Sequence, residues 1–366
     1  MIKTTTYQYK PDYAVPPGEI LEETLEARNI KKRDLAERCG LSAKTVSLIM
    51  SGKAPITPET AIQLERVLGV SADIWNNLEA NYRLFQAKIV ERKRLSEHEE
   101  WLKLLPIAQL IRRGFIQRKR ATEEMAEQLL GFFGVGSVIA WQEKIDRLQV
   151  AYRRSPSFQS SPESVATWLR IGELRAEKVE CAPYNESRFN KALEEIRGLT
   201  REEPKVFEPK MEQLCAEAGV ALVFVSELPK THLSGATRWL DKDKALIMLS
   251  LRYKWDDHFW FSFFHEAGHI IHHSKKAVFL DEENMKISDE EQWANQFAAD
   301  MLMPREMYNN FVREKEYTSP AVQSFTQQLG IAPGIVVGRL QHENIIPYKS
   351  SLNYLKRRFR LVEQND

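Results

Sequence analysis

Cysteine is scarce in this sequence. Cys39, Cys181 and Cys215 are the only three in 366 residues, odd in number and without a paired spacing. That excludes a disulfide framework or a zinc ribbon and reads as reduced thiols in a cytoplasmic protein. An excess of either charge is also lacking, with 52 basic residues against 51 acidic ones. No global attraction to a polyanion follows, so any nucleic-acid surface has to be local. No apolar run approaches the length of a membrane span and no secretory leader opens the chain, so no membrane partner is expected. Repeats of fixed period are absent, which excludes a solenoid. The length leaves room for two or three domains with a sizeable core.

Chemistry-bearing residues concentrate at 261–273, FSFFHEAGHIIHH. His265-Glu266-Ala267-Gly268-His269 is the H-E-x-x-H arrangement of zinc hydrolases. On a helix, histidines at i and i+4 share one face, so both imidazoles reach one ion. Glu266 sits beside them, placed to take a proton from the water that such an ion activates. With 8 histidines and 51 acids in the chain, a random H-[DE]-x-x-H is expected roughly 0.02 times. The flanking Phe261, Phe263, Phe264, Ile270 and Ile271 predict a buried helix, where histidines without partners are costly.

A third ligand is required. Lys275 stands where the three-histidine pattern needs its last imidazole, so that branch is closed. The run 289–304, DEEQWANQFAADMLMP, supplies an acid instead. Glu291, Asn295, Ala298 and Leu302 share one helical face, and the small Ala294 and Ala298 admit a close neighbour. Glu291 is therefore predicted as the third zinc ligand, and Asn295 as the hydrogen-bond partner that orients an imidazole. His269 and His273 form another i,i+4 pair, but Ile270 leaves that pair without an adjacent acid. His273 is expected to bond near the site and His272 to be structural or exposed. His232, Tyr253 and His258 could donate to an oxyanion, yet each reads better as an ordinary surface or core polar group, and none is assigned to the site.

The N-terminal part is a series of short, sharply punctuated helical patterns. Residues 18–29, 31–39, 43–51 and a segment opening at Thr57-Pro58 each carry one apolar face, and Ser71 caps a further helix. Gly40 suits a helix C-terminus and Ser42 an N-cap. Two short helices joined by Gly40-Leu41, inside a five-helix unit, form a helix-turn-helix layout. The stretch VPPGEILEETLEARNIKKRDLAERCGLSAKTVSLIMSGKAPITPETAIQLERVLGVSADIW resembles the XRE-type DNA-binding domain of HigA-like antitoxins. By that resemblance the second helix of the pair enters the major groove of double-stranded operator DNA, presenting Ala43, Lys44, Thr45 and Ser47. Lys31, Lys32, Arg33 and Lys53 would then lie near phosphates, and the chain would act as a homodimer. Ala43 and Ser51 depart from the long or amide side chains common there, which weakens or shifts base readout. The competing reading of the same segment is a helical protein-binding module with solvated lysines.

Residues 78–200 read as a helical connecting region that spaces two functional ends, with the basic run 110–120 a solvated face. Beyond Glu203-Pro204, residues 208–218 predict a helix and 220–225 a strand, and 236–240 with 245–251 flank a hairpin turn at 241–244. Residues 246–250 are the candidate strand for pairing with an extended substrate. SGATRWL, IMLSLRYK, FWFSFFHEAGHIIHH and EEQWANQFAADMLMP together resemble the ImmA/IrrE metallopeptidases. That resemblance implies a gluzincin-like site with Glu291 as ligand and proteolysis of a regulatory protein partner. Residues 319–342 resemble a second helix-turn-helix that packs on the peptidase domain, and the basic run 356–360 could touch DNA or a partner, or stay solvated.

The expected fold is mainly α with a small β-sheet. The expected domains are a DNA-binding domain over 11–77, the connecting region 78–200, a zinc peptidase domain over 201–304 and a helical extension over 305–366. The expected function is a DNA-binding regulator whose zinc domain cleaves a protein partner. The alternative is a HigA-like repressor that binds a toxin or other partner and uses the zinc domain without chemistry.

Overall fold

The computed structural model describes residues 13–152, 160–250, 252, 254–272, 278–282 and 289–360. Contacts divide the chain into two compact units, one of residues 1–98 with 120–126 and one of residues 99–119 with 127–366. The described residues are mainly helical with one small sheet.

In the first unit, α1 (Pro17–Ala27), α2 (Lys32–Cys39), α3 (Ala43–Met50), α4 (Pro58–Leu68) and α5 (Ala72–Ser96) follow one another on short turns. The caps fall where the sequence places them. Ser42 Oγ accepts from Thr45 N at 3.0 Å, Thr57 Oγ1 from Thr60 N at 3.3 Å and Ser71 Oγ from Asp73 N at 3.2 Å. Gly40 takes the left-handed conformation, φ +67°, that lets α2 stop and turn into α3. Leu21, Leu35, Val46, Ile49, Leu64, Leu68 and Trp75 form one core, each aliphatic side chain contributing about 1.5–3 kcal/mol by its burial. Buried Glu79 on α5 accepts from Ile56 N at 3.1 Å and pairs with Arg83 at 2.6 Å, which ties the loop after α3 to α5. With neither glycine nor proline between Ala72 and Ser96, α5 runs through residue 77, where the sequence reading ends the domain.

The second unit begins with α6 (Glu99–Leu104), α7 (Ile107–Arg112), α8 (Thr122–Phe133), whose first turns belong to the other unit, and α9 (Val138–Tyr152). Edge-to-face contacts of Trp101 and Phe133 with Trp141 hold this part together, with centroids 5.4 and 5.6 Å apart. Arg113, read as part of a solvated basic face, is buried instead and donates to the carbonyls of Ser226 and Glu227. Next come α10 (Pro162–Glu177), α11 (Glu186–Gly198) and α12 (Pro204–Glu217), followed by β1 (Val220–Phe224), β2 (Leu233–Trp239) and β3 (Ala245–Leu249).

Then come α13 (Asp256–His272), β4 (Val278–Glu282), α14 (Asp289–Leu302), α15 (Arg305–Glu314), α16 (Ser319–Leu329) and α17 (Pro333–His342). The sheet order is β1-β3-β2-β4, with β1 and β3 parallel and the other two pairs antiparallel. β2 and β3 form the expected hairpin, Trp239 opposite Ala245.

Residues 160–200, read as part of a connecting region, belong to the fabric of this unit. Trp168 Nε1 donates to Val225 O at 2.9 Å and Arg175 to Phe224 O at 2.8 Å, seating α10 on the β1 end of the sheet. Phe189, Leu193 and Ile196 of α11 enter the same core as Ile247, Phe263 and Val336. Sequence reading misses this because α10 and α11 bury their apolar faces against strands distant along the chain.

Candidate functional site

Thirteen of the seventeen residues of α13 are buried, so the helix carries the site through the centre of its unit. His265 and His269 are each 1% exposed, with Nε2 atoms 3.0 Å apart. α14 crosses next to them because Gly268 has no side chain, and a methyl there would lie 3.3 Å from Ala294 Cα and 3.1 Å from the Phe297 ring. That approach brings Glu291 Oε2 to 3.2 Å from His265 Nε2 and Oε1 to 3.4 Å from His269 Nε2. The neighbouring Glu290 is exposed. Ligand atoms about 2.0–2.2 Å from a tetrahedral centre lie roughly 3.3–3.6 Å apart. The observed triangle, only slightly contracted from that, and its two-imidazole, one-carboxylate donor set fit a zinc ion, and this group could hold one.

Asn295 Oδ1 lies 3.0 Å from His265 Nδ1. With the proton on Nδ1, the Nε2 lone pair is left facing the triangle. Burial by itself would push the Glu291 carboxyl up, but hydrogen bonds and charge from His265 and His269 outweigh it and bring it down to about 2. That lowering needs His265 or His269 protonated at Nε2 and so belongs to the metal-free site, since an imidazole whose Nε2 lone pair faces an ion donates nothing to Glu291.

Glu266 is 0% exposed and is seated by β2. Thr237 Oγ1 donates to Glu266 Oε2 at 2.5 Å and also lies 3.1 Å from the Glu266 carbonyl. A methyl on Gly235 would fall 2.6 Å from Glu266 Oε1 and 2.8 Å from its Cγ. Gly235 and Thr237 are site residues that sequence reasoning missed. Their signal lay in SGATRWL, where a glycine inside a strand pattern marks a close approach.

Two expectations change. Residues 246–250 were the candidate for substrate pairing, but β3 is bonded to β1 on one side and β2 on the other, so it has no edge to offer. Among the described residues the outer strand next to β2 is β4. The basic run 356–360 is anchored, at least in part. Lys356 Nζ lies 2.6 Å from Asp257 Oδ2, Arg357 Nε lies 3.6 Å from Asp256 Oδ2, and Asp256 N donates to Arg357 O at 2.9 Å. These bonds clasp the N-terminus of α13, against which α17 packs closely because Gly334 and Gly338 present no side chain to Asp256 and Asp257. His258 lies on the first turns of α13, 4.0 Å from Asp257 Oδ2. His272 stacks on Trp293 at 4.0 Å. His273 and Tyr253 lie outside the described residues.

In the first unit, Ala43, Lys44 and Ser47 of α3 are exposed, while Thr45 is half-buried with its hydroxyl 2.8 Å from Ser42 Oγ. Lys31, Lys32, Arg33 and Lys53 are all exposed. Lys32 pairs with Glu22 at 2.8 Å and Arg33 with Glu37 at 3.3 Å. Among the described residues, Lys31, Lys44 and Lys53 make no ion pair. No helix among the described residues is long and apolar enough to cross a membrane.

Comparison with known proteins divides along the same line. A helix-turn-helix family profile matches residues 21–75, and the profile of the IrrE N-terminal-like domain, an M78 peptidase family, matches residues 216–337. The HTH-type transcriptional regulator YddM of Escherichia coli (strain K12), itself uncharacterized, is 39% identical over 80 residues, 22% of this chain and 85% of that protein. Virulence-associated protein I of Dichelobacter nodosus is 34% identical over 76 residues, 20% of this chain and 70% of that protein. A solved structure of the Pseudomonas aeruginosa antitoxin HigA with the higBA promoter is 36% identical, covering 24% of this chain and 95% of that one, with a TM-score of 0.22. The chain belongs to the helix-turn-helix transcriptional regulators and carries, behind that domain, an IrrE N-terminal-like domain of the M78 peptidases.

Proposed function

We propose that this regulator is a zinc-dependent peptidase that cuts a regulatory protein partner and binds operator DNA through α3. The observation that carries the peptidase half is the convergence of His265, His269 and Glu291, with Glu266, the residue after His265, buried and held by Thr237. Three ligands suffice to hold an ion, and a further buried carboxylate next to them is what a hydrolase needs. Zinc held there would supply Lewis-acid activation of a water and of the scissile carbonyl. Glu266 accepts the proton of the attacking water and passes it to the leaving amine. The Thr237 hydroxyl keeps that carboxylate from rotating away, and Asn295 keeps the His265 ring in its orientation. The outer edge of β4 is the strand along which an extended substrate pairs.

On DNA, α3 lies in the major groove with Ala43, Lys44, Thr45 and Ser47 toward base edges, and Lys31 and Lys53 contact phosphates with less support from Lys32 and Arg33. Two copies bind a palindromic operator. The repressor reading, in which the metal domain binds a partner without chemistry, uses the same three ligands and needs no base at Glu266.

Glu266→Gln separates the two readings. The variant keeps shape and ligands but cannot take a proton, so zinc content and operator occupancy persist. Proteins cut in cells by the wild type, identified by mass spectrometry, should be left intact. A Glu266→Gln strain whose proteome and regulation match the wild type would overturn the peptidase reading and leave the repressor.

A further inference from the structure

The turn between α3 and α4 carries Lys53, exposed and without an ion pair among the described residues. Helix α3 holds the beginning of this turn. Lys53 N and Ala54 N both donate to Leu48 O, at 2.8 and 3.0 Å, and Gly52 reverses the chain with φ +68°. Pro55 has no N–H to give. The remaining anchors come from α5. Arg83 Nη2 donates to Gly52 O at 3.3 Å, and Glu79 Oε2 accepts from Ile56 N at 3.1 Å. Arg83 Nε donates to Glu79 Oε1 at 2.6 Å, so the two anchors, one helical turn apart, brace each other. Tyr82 backs the same turn, since a methyl on Gly52 would lie 3.5 Å from its hydroxyl. Lys53 is thus bracketed by two points fixed to α5, one at the residue before it and one just past Pro55.

We infer that Glu79 and Arg83 are positioning residues for DNA, holding the turn so that Lys53 meets a backbone phosphate with its main chain already ordered. The inference rests on the reading that places α3 in the major groove and Lys53 at a phosphate. A loose turn would have to be fixed at the moment of binding, and that ordering subtracts from affinity. Arg83 acts through Lys53 because its own guanidinium is committed to Glu79 and Gly52 O. Its side chain is 43% exposed, so the ion pair adds little to folding and its loss leaves the unit intact.

The test uses the full chain and the duplex that the wild type selects from a random-sequence DNA pool. Affinity for that duplex is followed against salt for wild type, Lys53→Ala, Arg83→Ala and the double variant, each checked by a thermal melt. Lys53→Ala should flatten the slope of log affinity against log salt by about 0.9 per chain, the share of one phosphate. Arg83→Ala should lower affinity at least about twofold while Lys53 is present, the lower end of couplings between neighbouring groups. In the Lys53→Ala background it should change nothing. Arg83→Lys keeps the charge but lacks the planar fork that reaches both Glu79 and Gly52 O, so it should behave like Arg83→Ala. Base preference, read by repeating the selection, should stay the same in all of them. Equal losses from Arg83→Ala in both backgrounds would overturn the inference, because Arg83 would then touch DNA itself. An altered base preference would overturn it too, since the pair would be supporting the whole unit. Arg83→Ala or Arg83→Lys binding like wild type, while Lys53→Ala flattens the slope, would overturn the positioning role and leave the phosphate contact standing. An unchanged slope in Lys53→Ala would overturn the phosphate contact and the positioning role together.

Discussion

Replacing Asn295 with alanine removes the oxygen 3.0 Å from His265 Nδ1 and leaves the three proposed ligands in place. The contact is one neutral hydrogen bond at a half-buried position, so without metal its loss costs about 0.5–1.5 kcal/mol of stability. The effect on zinc should be larger. With Nδ1 no longer held, the ring can rotate and its tautomers compete, and the loss of such a partner typically lowers metal affinity 10- to 100-fold. That is about 1.4–2.7 kcal/mol. Competition against a chelator of known affinity measures it directly, with no substrate needed. Asn295→Asp should hold affinity at or above the wild-type level, because a carboxylate accepts from Nδ1–H more strongly. Equal affinities for wild type and Asn295→Ala would refute the orienting role, and weaker binding by Asn295→Asp would refute the assumed direction of the hydrogen bond.

Gly235→Ala places a methyl within 2.8 Å of the Glu266 side chain. It should cost about 1–3 kcal/mol of stability by overpacking and lower cleavage about 100-fold by displacing the base, while zinc per chain stays unchanged. Lost zinc would show that β2 supports the ligands as well as Glu266. Asp256→Asn probes the clasp through pH. Burial, aided by the charge of Asp257, outweighs Arg357 and pushes the Asp256 carboxyl from 3.8 up to about 6. A folded value above the unfolded one means a stabilising contribution that is fully present below about pH 4 and lost as pH rises through about 6. The stability of wild type minus Asp256→Asn should therefore fall by about 3 kcal/mol across that window. A flat difference would mean that Arg357 keeps the group ionised.

Local determinants were readable in advance. Ser42, Thr57 and Ser71 announced helix starts because a capping bond is made within three residues. Gly40 announced a stop because its backbone conformation is its own affair. His265 and His269 share a face by helix geometry alone. Glu291 and Asn295 could be named because the other helix shows its own face just as plainly, and the structure brings both to His265. Features set by distant partners were not readable. Thr237 and Gly235 meet Glu266 only once β2 crosses α13, and β3 loses its expected edge only once β1 and β2 flank it. Lys356 and Arg357 look like any solvated basic run until Asp256 and Asp257 arrive from far upstream. α10 and α11 look like a spacer because a helix face does not say which sheet it covers.

The clasp on α13 also bears on the order in which the protein can be made. The ribosome finishes the helix bearing His265 and His269 long before it reaches Lys356 and Arg357. Until those residues emerge, Asp256 and Asp257 have no cations to neutralise them, and the first turn of the helix is being asked to bury two adjacent carboxylates. A nascent chain stalled before residue 356 would thus display the zinc motif on an unanchored helix. Competence of the site would arrive late in synthesis, after the DNA-facing unit has been complete for most of the elongation time. In that order of synthesis the helix-turn-helix unit can fold well before the residues that anchor α13 exist.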